Sequence, residues 1–162
     1  ETWNRRRMAE AGLDIDFVQD NRSLSTLAGT VRGLHFQAPP HAQAKLVRCG
    51  CGALFDVAVD IRRGSATFGR WVGVTLTPGN GRQLLIPEGF AHGFVTHAPG
   101  TEILYKCSAH YAPGAEGALL WSDPDLGIEW GVAPGEAVVS EKDAAAPRLS
   151  DLASPFTIGG GA

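Results

Sequence analysis

The sequence lacks several features that define large classes of protein. None of its apolar runs approaches the roughly 20 residues that cross a bilayer, and no secretory signal segment is visible. The three cysteines, Cys49, Cys51 and Cys107, form no disulfide framework, and their spacing fits neither a zinc knuckle nor a redox pair. We therefore expect reduced thiols, a cytoplasmic location and no membrane partner.

Positive charge is also scarce. The net charge is −3 and no basic stripe runs along the 162 residues, so the electrostatic footprint of a nucleic-acid binder is missing. A glycine-rich loop between a strand and a helix is missing as well, which argues against a dinucleotide-binding or P-loop fold. A local group of cations could still hold a small anion.

Glycine and proline, by contrast, are abundant. The 21 glycines and 10 prolines divide it into short segments, about nine of which have the length and alternation of strands. Residues 53–61 alternate strictly between two faces, and long helices are absent. This pattern predicts one all-β domain over 1–162, a sandwich or barrel of the jelly-roll type, with an N-terminal helix or arm at 1–14 and a tail at 144–162, poorly packed from Lys142 onward.

Polar residues on separate predicted strands suggest a lined cavity. Each of them lies among apolar neighbours, and an unpaired buried charge is costly, so a shared cavity explains them better than independent accidents. The residues concerned are His35, Lys45, Asp56, His92 and Tyr105. Within this cavity we expect Asp56 to pair with Lys45.

A metal site is the first hypothesis for such a cavity. The run from Pro87 to His92 resembles the second motif of the cupin superfamily, whose histidine is often a metal ligand. A metal-binding cupin also needs a His-x-His pair, whereas here His35 has no second histidine beside it. His41 and His110 flank turns, where we expect them to be solvated. A catalytic metal site needs three protein ligands, so the barrel is predicted to be free of metal and cofactor.

Acid–base chemistry is the second hypothesis. Histidine is the usual general base near neutral pH, and His35 could remove a proton next to a ketone. Lys45 could stabilise the enolate oxygen that develops, and Tyr105 could return a proton on the opposite face. These three residues together fit epimerisation next to a carbonyl group.

The chain resembles the dTDP-4-dehydrorhamnose 3,5-epimerase family of metal-free cupins, and the matching segments follow in order over nearly its whole length. They are FVQDN at 17–21, RGLHFQ at 32–37, AQAKLVR at 42–48, FDVAVDIR at 55–62, IPEGFAHGF at 86–94, YK at 105–106, WSDP at 121–124 and SEKD at 140–143. The resemblance implies a cupin-type jelly roll with short peripheral helices, a homodimer, and a dTDP-4-keto-6-deoxyhexose substrate.

The resemblance also implies roles for individual residues. His35 corresponds to the base at C3 and C5 of the sugar, Asp143 to its carboxylate partner, Lys45 to the enolate stabiliser and Tyr105 to the proton donor. His92 corresponds to a sugar contact and Tyr111 to a residue stacking near the nucleotide base. The other nucleotide and diphosphate contacts that the resemblance implies are Glu1, Gln19, Asn21, Arg32, Glu116 and Lys142.

Other functions remain open at the level of the sequence. The nearest is an epimerase that acts at C3 or C5 alone, in the synthesis of antibiotic deoxysugars. The others are a non-catalytic cupin that binds sugar nucleotides and a metal-dependent cupin oxygenase.

The position of Arg32 also poses a geometric question. Simple alternation places Arg32 with Leu34 and Phe36, on the face opposite His35. Either a bulge at Gly33, or a reach from the strand end or into a partner subunit, would reconcile the two.

Overall fold

A computed structural model describes residues 1–133 and 135–158. Its elements are short and mostly extended, as expected. The helices are α1 (Arg5–Glu10) and α2 (Glu141–Ala144), with 3-10 turns at Pro113–Ala115 and Leu149–Asp151. The strands are β1 (Gln19–Ser25), β2 (Val31–Gln37), β3 (Lys45–Cys51), β4 (Leu54–Asp60), β5 (Trp71–Leu76), β6 (Gln83–Ile86), β7 (Phe90–Thr96), β8 (Thr101–Cys107) and β9 (Glu116–Ala118).

The strands form two antiparallel sheets. One has the order β1-β8-β3-β6 and the other the order β5-β4-β7-β2-β9. The predicted all-β jelly roll of the cupin type is confirmed. Among the described residues, no helix has both the length and the apolar character that crossing a membrane would need.

Strands β4 and β7, inside the five-stranded sheet, are buried on both of their faces. On β4, Val57 and Val59 pack in a cluster with the C-terminal side chains Trp121 and Trp130. Leu54 and Ala58, on the opposite face of the strand, pack between the sheets. This arrangement matches the two environments that alternation predicts along residues 53–61.

Near the N-terminus, the polar run Asp20–Ser23 lies inside β1, where it pairs with β8. The expectation of a poorly packed C-terminal tail is wrong for the part of it that the structure describes, up to Ile158, because Asp143, Ser154 and Phe156 are buried. Residues 159–162 of the predicted tail lie outside the described residues. Phe156 contributes directly to the cluster outside the five-stranded sheet, so this segment completes the core.

A bulge at Gly33 resolves the question about Arg32. The pairing of β2 with β7 shifts register between Arg32 and His35, which changes the phase of alternation. Val31 consequently packs in the same cluster as Leu34 and Phe36, while Arg32 and His35 line one cavity. Placing Arg32 on the face of Leu34 and Phe36 was therefore wrong.

Glycine is required at this bulge for two reasons. Gly33 has a φ of +113°, in a region that other residues rarely adopt. A Cβ atom added there would also lie 2.6 Å from the Cα of Gly93 and 2.6 Å from the carbonyl oxygen of His92. Both obstacles belong to the backbone and cannot rotate away.

We expect Gly33→Ala to lower the free energy of unfolding by at least about 2 kcal/mol, from overpacking together with left-handed strain. Urea denaturation followed by circular dichroism measures this loss. Gly114→Ala is the matched control, since a Cβ there meets no atom within 4 Å, and its unfolding midpoint should stay near that of the wild type. Equal stability of the two variants would contradict the strained bulge.

Candidate active site

The largest cavity relevant to the predicted site opens between the sheets beside α2. Its volume is about 480 Å³. It receives side chains from both sheets and from the segment that leads into α2. The lining residues that were predicted from the sequence are Arg32, His35, Lys45, His92, Tyr105, Lys142 and Asp143.

A second cavity of about 330 Å³ adjoins the first. The two share His35, Lys45 and Tyr105, so they form one continuous cleft. The second cavity adds Gln19, Asn21, Tyr111 and Glu116, so that of the predicted residues only Glu1 and Asp56 line neither cavity. The cleft thus brings together residues that lie far apart in the sequence.

His35 and Asp143 form a short hydrogen-bonded pair. The Nε2 atom of His35 lies 2.6 Å from Oδ1 of Asp143, with the histidine side chain 36% exposed and the aspartate 5% exposed. Burial acts to raise the pKa of Asp143, but the hydrogen bond and charge of His35, together with the hydrogen bonds to Gly33 and Ser140, outweigh it, so the pKa lies below its ordinary value. An ionised Asp143 accepts a hydrogen bond from the Nε2–H group of His35 and leaves Nδ1 of His35 free to accept a proton.

The position of Asp143 is fixed by the start of α2. Ser140 caps the helix by accepting a hydrogen bond from the backbone N–H of Asp143, at 3.1 Å. The other carboxylate oxygen, Oδ2, accepts the backbone N–H of Gly33, at 3.2 Å. Ser140 was not predicted, although a serine three residues before an acidic residue is a helix-start signal.

Lys45 extends from the first residue of β3 into the cleft. Burial lowers its pKa, and the charges of Cys107, Asp56 and Glu116 oppose this shift only in part. A buried ammonium group of this kind interacts strongly with any negative charge that develops nearby, because the local dielectric is low. Lys45 therefore suits the stabilisation of an enolate oxygen.

His92 pairs with Asp56, which corrects the expected pairing of Asp56 with Lys45. The Nε2 atom of His92 lies 2.7 Å from Oδ1 of Asp56, and both residues are buried. Burial lowers the pKa of His92 in spite of this carboxylate, and the charges of Lys45 and His35 lower it further. His92 is therefore neutral at neutral pH.

Tyr105 enters the cleft from β8, in the opposite sheet to His35. Burial raises its pKa, and the positive charge of Arg32 opposes this rise. The phenol therefore keeps its proton at neutral pH and is available as a donor. A base on one sheet and an acid on the other can address opposite faces of a ring held between them.

Polar residues order the mouth of the cleft. Lys142 and Glu116 form an ion pair of 2.6 Å between Nζ and Oε2. Gln37, which was not predicted, accepts the backbone N–H of Ala112 and donates to the carbonyl oxygens of His41 and His110. These bonds fix the loop that carries the exposed Tyr111. His41 and His110 are themselves exposed, as expected.

The side chains of β1 extend this ordering. Gln19 donates to Asn21 Oδ1 at 3.0 Å and accepts the backbone N–H of Tyr111 at 2.9 Å. Asn21 also lies 3.5 Å from the sulfur of Cys107. Cys107 is a lining residue that the sequence reasoning did not single out, and no motif marks it.

Glu1 lies elsewhere in this chain. Its carboxylate contacts Asn4 and Arg7, each at 2.9 Å, and it lines a separate depression with Arg48 and Arg82. Its assignment as a base contact remains a prediction. Among residues 1–133 and 135–158, no group of three or more histidine, cysteine or acidic side chains is placed to hold a metal ion.

The fold and the site together define a class. A jelly roll of the cupin type holds a histidine–carboxylate base, a buried ammonium group and a protonated phenol around one cleft, which equips it for proton transfer next to a carbonyl group. These features are those of an acid–base isomerase.

The comparisons with known proteins identify the family. The family described as dTDP-4-dehydrorhamnose 3,5-epimerase matches residues 1–151. The chain is 52% identical to the enzyme of that name from Sinorhizobium fredii, over 96% of this chain and 77% of the relative. It is 53% identical to the one from Salmonella typhimurium, over 92% and 81%.

A solved structure gives the same result. The 3,5-epimerase from Legionella pneumophila in complex with dTDP-4-keto-L-rhamnose is 45% identical, with a TM-score of 0.88 over 94% of this chain and 80% of that one. The chain belongs to the dTDP-4-dehydrorhamnose 3,5-epimerase family, whose members are isomerases that act on a nucleotide sugar.

Proposed function

We propose that His35, Asp143, Lys45 and Tyr105 carry out the family's reaction in this protein. That reaction converts dTDP-4-dehydro-6-deoxy-D-glucose to dTDP-4-dehydro-L-rhamnose by inverting C3 and C5, on either side of the C4 ketone. The observation that carries the proposal is that all four side chains line one cavity. The sugar nucleotide held by the Legionella relative supports a substrate of this kind.

His35 begins each inversion by removing a proton from the carbon next to the ketone. Its Nδ1 atom is the base, because Nε2 is bonded to Asp143. The ionised carboxylate stabilises the imidazolium that forms. The electron pair of the broken C–H bond moves to the ketone oxygen, which becomes an enolate.

Lys45 stabilises that enolate. Its ammonium group is buried, so the interaction strengthens as charge develops on the oxygen and lowers the barrier rather than only the ground state. His92 lines the same cavity and contacts the sugar as a neutral side chain.

Tyr105 completes the inversion by donating its proton to the carbon on the face opposite His35. His35 is then left protonated and Tyr105 deprotonated, and a proton passing from one to the other through solvent restores both. No proton is gained or lost overall, but solvent hydrogen enters the product at each inverted carbon.

The nucleotide is held at the two ends of the cleft. Arg32 and Lys142 suit the diphosphate, since guanidinium and ammonium groups bind phosphate oxygens. The ion pair of Lys142 with Glu116 would exchange in part for this contact. Gln19, Asn21 and the exposed ring of Tyr111 line one end of the cleft and suit the nucleoside. Glu1 lies outside the cleft of this chain, and its role as a base contact rests on the family resemblance alone.

Solvent deuterium uptake tests this assignment. Incubation of the wild-type protein with the dTDP-4-keto sugar in D2O should label both C3 and C5, as read by NMR and mass spectrometry. Label at C3 alone would select an epimerase that inverts one carbon. Binding of dTDP without any label would select a non-catalytic binding protein, and stoichiometric metal in the purified protein would select a metal-dependent cupin.

We also propose a homodimer in the cytoplasm. The dimer follows from the family resemblance, and the location is supported by three free cysteines, which suit a reducing compartment. Size-exclusion chromatography with light scattering measures the mass of the assembly, and a monomer at micromolar concentration would refute the dimer.

Replacement of Lys45 by methionine should lower kcat for exchange about 10²- to 10³-fold, as expected when an oxyanion stabiliser is lost. In the wild type the ammonium form acts below its pKa and is lost as pH rises through it. Burial places that pKa below the ordinary value of lysine, so kcat should decline at a lower pH than that at which an ordinary lysine loses its proton. Lys45→Met should abolish this alkaline limb, which pH profiles of kcat measure.

Lys106→Met is the matched control for this effect. Lys106 lies on β8, the neighbour of β3 in the same sheet, but it is bonded to Asp20 at 2.7 Å and lines neither cavity of the cleft. Its profile should keep the limb, and an unchanged limb in Lys45→Met would remove Lys45 from the enolate step.

A further inference from the structure

Asp56 is a buried acid that the proposed mechanism does not use. It lies in the middle of β4 and is 0% exposed, on the strand face that packs between the sheets with Leu54 and Ala58. Its Oδ1 atom is 2.7 Å from His92 Nε2, whereas its Oδ2 atom has no hydrogen-bond partner among the described residues. A buried carboxylate that is only half satisfied is costly, so it requires an explanation.

The surroundings of Asp56 point toward the cleft. Asp56 does not line either cavity, but His92 and Lys45 both line the larger one. The charges that influence Lys45 come from several elements: Asp56 on β4, Cys107 on β8 and Glu116 on β9. His92 on β7 is influenced by Asp56, Lys45 and His35. Asp56 is thus the fully buried negative group of this set.

Neutral His92 has one N–H group, and its position depends on Asp56. If Asp56 is ionised, it can only accept, so the hydrogen lies on Nε2 and Nδ1 becomes an acceptor. If Asp56 is protonated, it donates to Nε2, and the hydrogen lies on Nδ1. The tautomer of His92 therefore reports the charge on Asp56.

We propose that Asp56 is a positioning residue that acts through two cleft side chains. As a carboxylate, Asp56 fixes the Nε2–H tautomer of His92 through Oδ1. Its negative charge, which the carboxylate spreads over Oδ1 and the unbonded Oδ2, keeps the buried Lys45 ammonium protonated until substrate arrives. This inference rests on the proposed role of Lys45 as the enolate stabiliser. The competing explanation is a protonated Asp56 that only holds His92 in place.

The first test measures the His92 tautomer in the wild-type protein without substrate. Protein labelled with 15N-histidine is examined by long-range 1H–15N NMR between pH 6 and pH 9, with His92 assigned by His92→Gln. We expect Nε2 protonated and Nδ1 unprotonated. A hydrogen on Nδ1 would overturn the proposal, and this result needs no substitution of Asp56.

The second test measures the charge on Lys45. The chain has three lysines, Lys45, Lys106 and Lys142, so protein labelled with 13C-lysine gives three Cε signals, assigned by Lys45→Met. In Asp56→Asn we expect the Lys45 titration midpoint to fall by about one pH unit, the effect of removing one nearby opposite charge. A midpoint equal to that of the wild type would refute the electrostatic role.

Asp60→Asn is the matched control. Asp60 is also buried on β4, but it is bonded to Arg62, Ser65 and Thr67, away from the cleft. This variant loses hydrogen bonds and should unfold at lower temperature, yet the Lys45 midpoint should stay in place. A matching shift in Asp60→Asn would mean that loss of stability, rather than lost charge, moves Lys45.

The kinetic readout follows from the same charge. In Asp56→Asn the alkaline limb of kcat should move to lower pH by about one unit, with kcat reduced up to about tenfold beyond it and KM nearly unchanged, because Asp56 does not line the cleft. The two spectroscopic tests use no substrate. A wild-type protein that passes them but exchanges no deuterium would refute the proposed function and not the charge on Asp56.

Discussion

Replacement of His35 by asparagine should lower the rate of deuterium uptake at both C3 and C5 about 10³- to 10⁴-fold, the upper range for loss of a general base. Both carbons should be affected together, because His35 faces the cavity from β2 and in the proposed mechanism removes the proton at each carbon. Asparagine keeps a polar side chain of similar reach, so KM should change far less than kcat. Single-turnover exchange read by mass spectrometry measures the rate at each carbon.

His41→Asn provides the comparison for this substitution. His41 is exposed beside a turn, and its backbone carbonyl, not its ring, is the group bonded to Gln37. Its exchange rates should match those of the wild type. If His35→Asn exchanged both positions as fast as the wild type, His35 would not be the base.

We expect Asp143→Asn to lower the exchange rates in the same way as His35→Asn. Asp143→Asn removes the ionised acceptor that holds the hydrogen on Nε2 of His35, so the basic nitrogen would be presented in the wrong tautomer. Since the two residues act as a unit, the double variant should lose little more than either single variant. Additive losses would indicate independent roles.

The strands that carry the site could be predicted because their sequences alternate. Strand β4 lies within the predicted segment 53–61 and is one residue shorter at each end. In these strands apolar side chains occupy at least one face, so burial leaves a period of two in the sequence. His35, Lys45 and Tyr105 could therefore be assigned to strands before any contact between them was known.

Strand β1 could not be predicted in the same way, for a physical reason. It is an edge strand, and its inner face carries the polar Gln19, Asn21 and Ser23, while its outer face meets solvent. Neither face leaves an apolar period in the sequence. A strand that lines a polar cavity at a sheet edge therefore reads as a loop.

Contacts that depend on long-range packing were also beyond the sequence. The pairing of Asp56 with His92 rather than Lys45 depends on β4 and β7 being neighbours, which alternation within one strand cannot show. The burial of Asp143 depends on a helix of four residues, too short to have a period. Asp143 was predicted only from the resemblance to the family. The structure shows that Asp143 depends on the bulge at Gly33, because its carboxylate accepts a hydrogen bond from the backbone N–H of Gly33.

Replacement of Tyr105 by phenylalanine should separate deprotonation from inversion. The base on the other face of the sugar remains, so deuterium should still enter C3 and C5 at a rate within about tenfold of the wild type. Inverted product should fall by at least about 10²-fold, since the general acid is lost. The enolate would then be reprotonated from the side of His35, which returns the original configuration.

The ratio of inverted product to incorporated deuterium measures this separation, with configuration read from proton couplings and label from mass spectrometry. The chain has two tyrosines, so Tyr111→Phe is the natural comparison. Tyr111 is 54% exposed at the mouth of the cleft, and its phenyl ring would still stack, so this variant should change KM little and leave the ratio that of the wild type. A wild-type ratio in Tyr105→Phe would mean that another group donates the proton. Loss of exchange together with inversion would instead mean that Tyr105 is needed before the enolate forms. The assignment of deprotonation to His35 on one sheet and of protonation to Tyr105 on the other would then be wrong.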